Sequence, residues 1–530
     1  MEVETINKLT KKANKHSRED FYRLGAALLF MVIVMVYTFI RNGEVPQATF
    51  LAIAAMVGGY MAMNIGANDV ANNVGPAVGS KALTMMGAII IAAIFEASGA
   101  LIAGGDVVST IKKGIIDPVL LNDTDVFIWA MLAALLGGAL WLNIATIVGA
   151  PVSTTHSIVG GVMGAGVAAA GWDIVNWSKM STIAASWVIS PVLGGLIAAG
   201  FLFAIKRTIM HKPDMRAAAK KVVPILIAIM TLAFVTYLSI KGLKKIVKIN
   251  IGTALLIGMA SSAFIYVVVK PIIARAAEKL HNTRDDINKL FTIPLIFAAA
   301  LLSFAHGAND VANAIGPLAA INDAIMHGEI SHKANIPLWV MLVGAVGIAI
   351  GLAMYGPKLI RTVGSEITEL DQARAWSIAI SSAIVVIIAS WLGLPVSSTH
   401  IAIGGVFGVG FLRIYIYRKY EYGLSEIKQS HLADTEAEIK ELNTQIAATD
   451  TPNPELLKEL EDCKEHLQDI HDGNVEMTKK ERKYLKKIEK EQYIRQDMLV
   501  KIIAAWLITV PISALLSAML YFTIRGIMLH

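Results

Sequence analysis

The sequence predicts an all-α polytopic membrane protein, built as two inverted-topology repeats with discontinuous helices and a soluble helical-hairpin insert. Three observations carry this. Hydrophobic residues make up 55% of the 530-residue chain, and long apolar stretches recur along most of it, a composition that soluble domains seldom have. The heptapeptide GANDVAN occurs twice, at Gly66–Asn72 and Gly307–Asn313. One long stretch, Arg413–Gln496, is instead polar and highly charged.

A spanning helix needs about 20 mostly apolar residues. Candidates begin near Phe21, Pro46, Leu83, Val126, Pro151, Met180, Val222, Ile251, Phe291, Pro337, Ala373, Pro395 and Asp497. That makes about thirteen segments, with re-entrant ones allowed where their backbone is shielded from lipid. The first apolar run, LGAALLFMVIVMVYTFI, leads into RNGEVPQ rather than a small-residue cleavage site, so a retained helix is expected. Basic residues cluster in four places: the N-terminus (Lys8, Lys11, Lys12, Lys15, Arg18), the Lys206–Lys221 loop, the Arg275–Lys289 loop and the segment after Arg413. If every candidate crosses once, all four fall on one side, the cytoplasmic one by the positive-inside rule. The basic stretch KGLKKIVK (Lys241–Lys248) falls on the opposite side, and a miscounted span there is the open alternative. The net charge of +6 therefore reads as topology, not nucleic-acid binding. A single cysteine, Cys463, excludes an intrachain disulfide and a cysteine-based metal site.

A second motif is also doubled. GAPVSTTHSIVGGVMGAG starts at Gly149 and GLPVSSTHIAIGGVFGVG at Gly393. Both motif pairs are separated by about 240 residues, the mark of an internal duplication. A tail echo follows, ASWVISP ending at Pro191 and AAWLITVP ending at Pro511. An odd number of crossings between the copies inverts the second, and inverted repeats around a midplane site are a common transporter plan. Duplication kept only for packing is the alternative; the most similar stretches, however, are the polar ones. The resulting division is 1–45 (tail and extra helix), 46–206 (first repeat), 207–290 (connecting spans and loops), 291–412 (second repeat), 413–496 (insert) and 497–530 (last span of the second repeat). In the insert, Ile439, Leu442 and Ile446 lie at helical spacing, as do Leu460, Cys463, Leu467 and Ile470. This reads as a helical hairpin with the character of a short coiled coil. Its mixed charge suits a solvated insert, with a regulatory or dimerising domain as the alternative.

Gly and Asn weaken helices and expose main-chain groups, so the apolar helix from Pro46 is expected to unwind near Gly66 and resume later. Asn68, Asp69 and Asn72, with freed carbonyls, would form an oxygen-only environment that suits Na⁺ and excludes soft metals. Asn309, Asp310 and Asn313 repeat it. A lone membrane Asn is equally an interhelical hydrogen bonder. A charge near the midplane, though, costs at least about 2.5 kcal/mol, so the paired Asp residues point to a function. In the second motif, Pro151 suits a first helical turn. Ser153, Thr154 and Thr155 then offer hydroxyls beside unpaired N–H groups, which makes an anion cradle. Pro395 with Ser397, Ser398 and Thr399 supplies the second cradle; an ordinary helix cap is the plainer reading of each. Neither motif contains Arg or Lys, and Lys81 is expected at the membrane edge. Two Asp and an anion are together too negative for a low-dielectric interior, so cations must arrive with the anion, and their binding must be linked. Glu96, in IIAAIFEASGALIAG, is a third cation ligand, a proton site or an interhelical hydrogen bonder. His156 and His400 either contact substrate or fix the half-helix. His306 precedes only one GAND copy and reads as local.

In these motifs the chain resembles the inorganic phosphate transporter (PiT) family, with its two GANDVAN-type motifs, paired P(V/I)S(S/T)TH motifs and inverted repeats. The stretch IFEASGALIAGGDVVSTIKKGIID is similar to the FETVG-containing region of the sodium-coupled branch, the type III sodium–phosphate cotransporters. The likeness covers Pro46–Gly410 and the final span. It implies a secondary active transporter that imports inorganic phosphate with Na⁺ by alternating access, without enzymatic chemistry or a cofactor beyond Na⁺ as coupling ion. Phosphate, Na⁺ and the lipid bilayer are the implied partners, a homodimer is an option, and nucleic acid is not expected. The location implied is the plasma (cytoplasmic) membrane, with the N-terminus and insert in the cytoplasm. Asp69, Asn72, Asp310 and Asn313 would serve cation and phosphate, with Asn68, Asn309 and Glu96 on the cation side. Ser153, Thr154, Thr155, Ser397, Ser398 and Thr399 would bind phosphate, supported by His156 and His400. Asn73 and Lys81 depart from the family pattern, and the insert precedes the last span, whereas animal members carry their large loop between the halves. The family also holds H⁺-coupled phosphate carriers and sulfate permeases, which are the alternative. ATP hydrolysis is not expected, since the chain carries no GxxxxGK(S/T) motif. An aspartyl hydrolase using Asp69, Asp310 and His156, and a passive channel or receptor, complete the alternatives; the Asn and Gly flanking each Asp favour ion coordination.

Overall fold

Apolar length sets the elements. The computed structural model describes residues 2–121, 123–150, 152–242, 249–328, 336–361, 370–447, 454–471 and 496–529. The first half holds α1 (Glu2–Asn42), α2 (Ala48–Asn68), α3 (Val70–Gly79), α4 (Met85–Ala103), α5 (Gly105–Lys113), α6 (Thr124–Val148), α7 (Thr154–Ala170) and α8 (Trp177–Ile205). Next come α9 (Met215–Lys241), α10 (Ile251–Glu278) and α11 (Arg284–Asn288). The second half holds α12 (Thr292–Asp310), α13 (Ala312–His327), α14 (Leu338–Arg361), α15 (Gln372–Trp391), α16 (Ser398–Ala447), α17 (Pro454–His471) and α18 (Gln496–Met528).

Among the described residues, 11 helical segments are long and apolar enough to cross a membrane. The two expected segments that fall outside this set are α7 and α16, the helices that begin at the PVS(S/T)TH motifs. At 17 residues, α7 is about 25 Å long, short of a bilayer's hydrocarbon core. Burial sorts the rest. In the spans containing α2–α3 and α12–α13, 78% of the most apolar window is buried, against 11% for α10 and 17% for α18. The motif helices are the centre, and the lipid-facing spans enclose them.

The helices do not unwind at GANDVAN. Asp69 alone separates α2 from α3, with φ −88° and ψ −35°, and its N–H still bonds Ile65 O at 2.9 Å. Val311 alone separates α12 from α13, at φ −55° and ψ −31°. The glycines serve close packing instead. A Cβ on Gly66 would lie 1.9 Å from Ile348 O of α14, and one on Gly307 would lie 2.1 Å from Glu96 O of α4. Main-chain carbonyls are released further on. Pro76 and Pro317 lie inside α3 and α13. Lacking an N–H, they leave Asn72 O and Asn313 O without their helical donors.

The second motif forms the tips of two hairpins. After α6, Gly149 takes φ 81°, and Ala150 N–H bonds Ala145 O at 2.9 Å. After α15, Gly393 takes φ 67°, and Leu394 N–H bonds Ala389 O at 2.9 Å. These are Schellman-type stops that only glycine makes cheaply. The arms then run back along each other: a Cβ on Gly161 of α7 would stand 3.0 Å from Ala134 O of α6, and one on Gly405 of α16 would stand 3.3 Å from the Ile378 side chain of α15. Each tip is tied to the interior of a long span, by Asn68 Nδ2 to Ala150 O and by Asn309 Nδ2 to Leu394 O, both at 3.2 Å. The hairpins therefore turn back at mid-depth, and not every candidate segment crosses once. Each return would remove a pair of crossings, which leaves the expectation of one side for the four basic segments unchanged. Of the dissenting KGLKKIVK stretch, Lys241 pairs with Asp106, and residues 243–248 lie outside the described chain, as does Pro151.

The chain divides into two compact units, Met1–Val409 with Arg495–His530, and Gly410–Ile494. In the second, the end of α16 and all of α17 are helical. Leu442 and Leu460 are buried there, and Ile439, Ile446, Cys463 and Leu467 are half-buried. Glu438 of α16 acts electrostatically on Cys463 of α17. The side chain of Ile470 lies outside the described set.

Candidate functional site

Both acidic residues stand where hairpin tips meet helix breaks. Thr154 Oγ1 donates to Asp69 Oδ2 at 2.6 Å, and Ser398 Oγ donates to Asp310 Oδ2 at 2.8 Å. The same step of each hairpin thus holds the Asp of its own repeat. The next residue crosses over: Asn72 Nδ2 bonds Thr399 Oγ1 at 2.8 Å, and Asn313 Nδ2 bonds Thr155 Oγ1 at 3.1 Å. Thr399 also donates to Asp69 Oδ1 at 2.9 Å, and Asn313 reaches Thr154 Oγ1 at 3.1 Å. These side chains are all buried. The duplicated sequence therefore yields duplicated bonds, interlocked between the repeats.

Ser153 and Ser397 cap their helices, accepting from His156 N–H at 3.0 Å and His400 N–H at 3.2 Å. The N–H groups of residues 154, 155, 398 and 399 lie in first turns, where an α-helix offers no intrahelical acceptor. They meet the two carboxylates' neighbourhood from opposite hairpins. Asn68 is spent on its tip, giving its Nδ2 to Thr146 Oγ1 and Ala150 O and accepting from Val152 N–H at 3.2 Å. Asn309 holds Ser390 Oγ and Leu394 O, and its Oδ1 is buried without a partner.

The third partner of the Asp pair is His306, whose place before a single GAND copy suggests only a local role. Its Nε2 is 2.8 Å from Asp310 Oδ2, off the hydrogen-bonding direction, and 3.9 Å from Asp69 Oδ2. One ligand atom each from Asp69, His306 and Asp310 fall within 4.8 Å of one another. The imidazole's Nδ1 meets Glu96 Oε2 at 2.6 Å, and Glu96 Oε1 accepts from Asn73 Nδ2 at 2.7 Å. Glu96 therefore lies one layer behind the Asp pair, in the interhelical hydrogen-bond role, and Asn73 is its second partner. Lys81 is exposed, at the end of α3. His156 and His400 meet edge to face with centroids 4.4 Å apart. Each also packs on a tryptophan of the tail echo, His156 on Trp187 at 3.9 Å and His400 on Trp506 at 3.7 Å. That is a structural seat at the hairpin tips.

The acceptor inventory suits a hard cation. Asn72 Oδ1, Asn313 Oδ1, Asn309 Oδ1 and Asp310 Oδ1 are buried, with no hydrogen-bond partner, and buried oxygens of this kind need a donor or an ion. Oxygen ligands select hard cations over soft metals.

Buried oxygen ligands, paired helix starts and doubled mid-depth hairpins within a set of apolar spans define an integral membrane transporter. Residues 65–517 match the phosphate transporter family. A protein of Helicobacter pylori (strain ATCC 700392 / 26695), named as an inferred phosphate permease, is 51% identical over 527 residues, 98% of each chain. A similarly named protein of Pyrococcus furiosus is 42% identical over 371 residues, 68% of this chain and 87% of its own. A solved structure titled "The sodium-dependent phosphate transporter" superposes with a TM-score of 0.71 at 32% identity, covering 90% of this chain and 100% of its own. The chain belongs to the phosphate transporter family. It moves phosphate and is not an enzyme.

Proposed function

We propose that the chain imports inorganic phosphate together with Na⁺, by alternating access around the Asp69–Asp310 site. One observation carries the reading: two buried carboxylates each take a hydroxyl hydrogen bond from a hairpin tip, Asp69 from Thr154 and Asp310 from Ser398. Na⁺ at the carboxylates and the unpartnered amide oxygens displaces these hydroxyls. Thr154, Ser398 and Thr399, with the first-turn N–H groups, then turn their donors to phosphate. Phosphate without Na⁺ meets two uncompensated carboxylates and closed donors, so binding of each favours the other. The name of the solved relative, a sodium-dependent transporter, supports Na⁺ as the coupling ion. The basic segments support a cytoplasmic N-terminus and insert in the plasma membrane. The repeats then run in opposite directions, α2–α3 inward and α12–α13 outward.

A second reading, H⁺ coupling, is favoured by the Glu96–His306–Asp310 contacts, an arrangement that suits proton relay in a membrane. Radiolabelled phosphate uptake into proteoliposomes separates the two. Accumulation under an inward Na⁺ gradient alone supports Na⁺ symport; accumulation under an inward H⁺ gradient alone replaces it.

A further inference from the structure

Away from this site, the ends of α1, α5 and α13 and the start of α14 enclose a cavity of about 450 Å³. Arg41, Lys112, Asn322, Asp323 and His327 line it, and Ala319 contributes apolar wall. Lys112 and Asp323 are 5% and 2% exposed, and their charged atoms meet at 2.7 Å. His327 Nδ1 stands 3.0 Å from Asp323 Oδ1. A buried ion pair seldom stabilises a fold more than apolar residues of the same volume would, so this one calls for another reason. Arg41 is exposed at the cavity's edge and has no ion-pair partner among the described residues. Asn322 is 5% exposed, and its Oδ1 is buried without a hydrogen-bond partner. Two fixed cations against one carboxylate leave the cavity positive before His327 is counted.

We infer that this cavity is a second phosphate site, a vestibule that captures the anion before it reaches the Asp69–Asp310 centre. The inference rests on the proposed import, in which this end of the helices faces outward. The donors and acceptors match a protonated phosphate. Lys112 and Arg41 donate to its oxygens, and the unpartnered Asn322 Oδ1, buried beside the cavity, turns into it to accept from the P–OH, a group that sulfate lacks at neutral pH. Lys112, held by Asp323, needs only to share its ammonium protons between the carboxylate and the arriving anion. The position fits as well: Ala319 lies on α13, about 9 Å along the helix axis from Asn313, so the cavity reaches down the element that carries half of the central site.

Two variants test this, Arg41→Gln and the charge-balanced pair Lys112→Gln with Asp323→Asn, which leaves no lone buried charge. In proteoliposomes at low ionic strength, each is expected to raise the KM for phosphate roughly three- to ten-fold. Vmax and the Na⁺ half-saturation should be unchanged, and the difference should shrink as salt is added. Unchanged KM in both variants overturns the vestibule. An independent arm uses purified wild-type protein and radiolabelled inorganic phosphate in choline chloride. Weak Na⁺-independent binding that Arg41→Gln abolishes supports the site; binding that survives in both variants, or none in the wild type, overturns it. Sulfate displacing the label as well as unlabelled phosphate removes the Asn322 role and with it the phosphate assignment. A wild type that binds phosphate in choline yet accumulates none under any gradient points instead to failure of the import reading.

Discussion

His306 and Glu96 are joined by a 2.6 Å contact between Nδ1 and Oε2, which bonds the second repeat to the first behind the Asp pair. The chain of contacts runs from Asn73 through Glu96 and His306 to Asp310. Glu96 therefore sets which way the imidazole faces, and the imidazole in turn lies against the carboxylate that the proposed cation needs. Orientation through a second layer of this kind is how proteins tune ion ligands.

Removing the imidazole should leave Glu96 with an unpaired oxygen in a buried site. His306→Ala is expected to lower stability by about 3 to 5 kcal/mol, the usual result of breaking a buried pair from one side. Adding Glu96→Gln should restore part of that loss, because paired groups are not additive. Thermal unfolding of the purified single and double variants measures this; equal, additive losses would show that the two side chains do not act together.

The carboxylates themselves should govern Na⁺. Asp69→Asn removes the charge and keeps one oxygen for one of the two hydroxyls that donate to it, Thr154 or Thr399; the other hydroxyl can turn to accept from the new NH2, so the fold should survive. Asp310→Asn does the same beside Ser398. Each is expected to reduce the transport rate at least ten-fold and flatten the Na⁺ activation curve. A wild-type Na⁺ response in both variants, measured by phosphate uptake, would remove the carboxylates from the cation site.

Much of this arrangement is legible in the sequence because duplication marks it. The repeated GANDVAN and PVS(S/T)TH stretches name Asp69, Asp310, Thr154, Thr155, Ser398 and Thr399, and these side chains meet. His306 escapes because it has no counterpart in the other repeat, and its meaning depends on Glu96, whose helix packs on α12 only in the folded chain. The expected unwinding fails for a different reason. Glycine at Gly66 and Gly307 is compatible with either a broken helix or a tight helix crossing, and local sequence carries no information about the carbonyl of Ile348 or Glu96 pressing on it. The carbonyls freed by Pro76 and Pro317 were readable, since proline four residues after each second Asn is itself part of the repeat. Hairpin return at mid-depth is hard to read from hydropathy, because α6 and α15 are as apolar as true spans.

The serines at the hairpin tips carry a separable effect. Ser153→Ala and Ser397→Ala each remove the N-cap side chain that accepts from the first turn of its helix, a loss of about 1 kcal/mol. Each also loosens the first-turn N–H groups offered to phosphate. Both changes together should weaken phosphate affinity while leaving Na⁺ binding in the absence of phosphate nearly intact. Isotope binding with each ion in turn checks this. Equal losses for both ions would mean that the tips hold the whole site together rather than the anion side.

The last prediction concerns the crossing that seats Glu96. Gly307 and Gly99 face each other's helices: a Cβ on Gly307 would meet Glu96 O at 2.1 Å, and one on Gly99 would meet Phe304 O at 2.0 Å. Both obstacles are backbone, so neither can swing aside, and α4 must move away from α12. Gly307→Ala is therefore expected to cost at least about 1 to 3 kcal/mol, the usual penalty of overpacking. It should also carry Glu96 out of reach of His306. A control is at hand in Gly200, where nothing lies within 4 Å of the added carbon. Gly200→Ala should leave stability and uptake near wild type. If Gly307→Ala behaves like Gly200→Ala in both thermal unfolding and phosphate uptake, the close crossing does not set the position of Glu96.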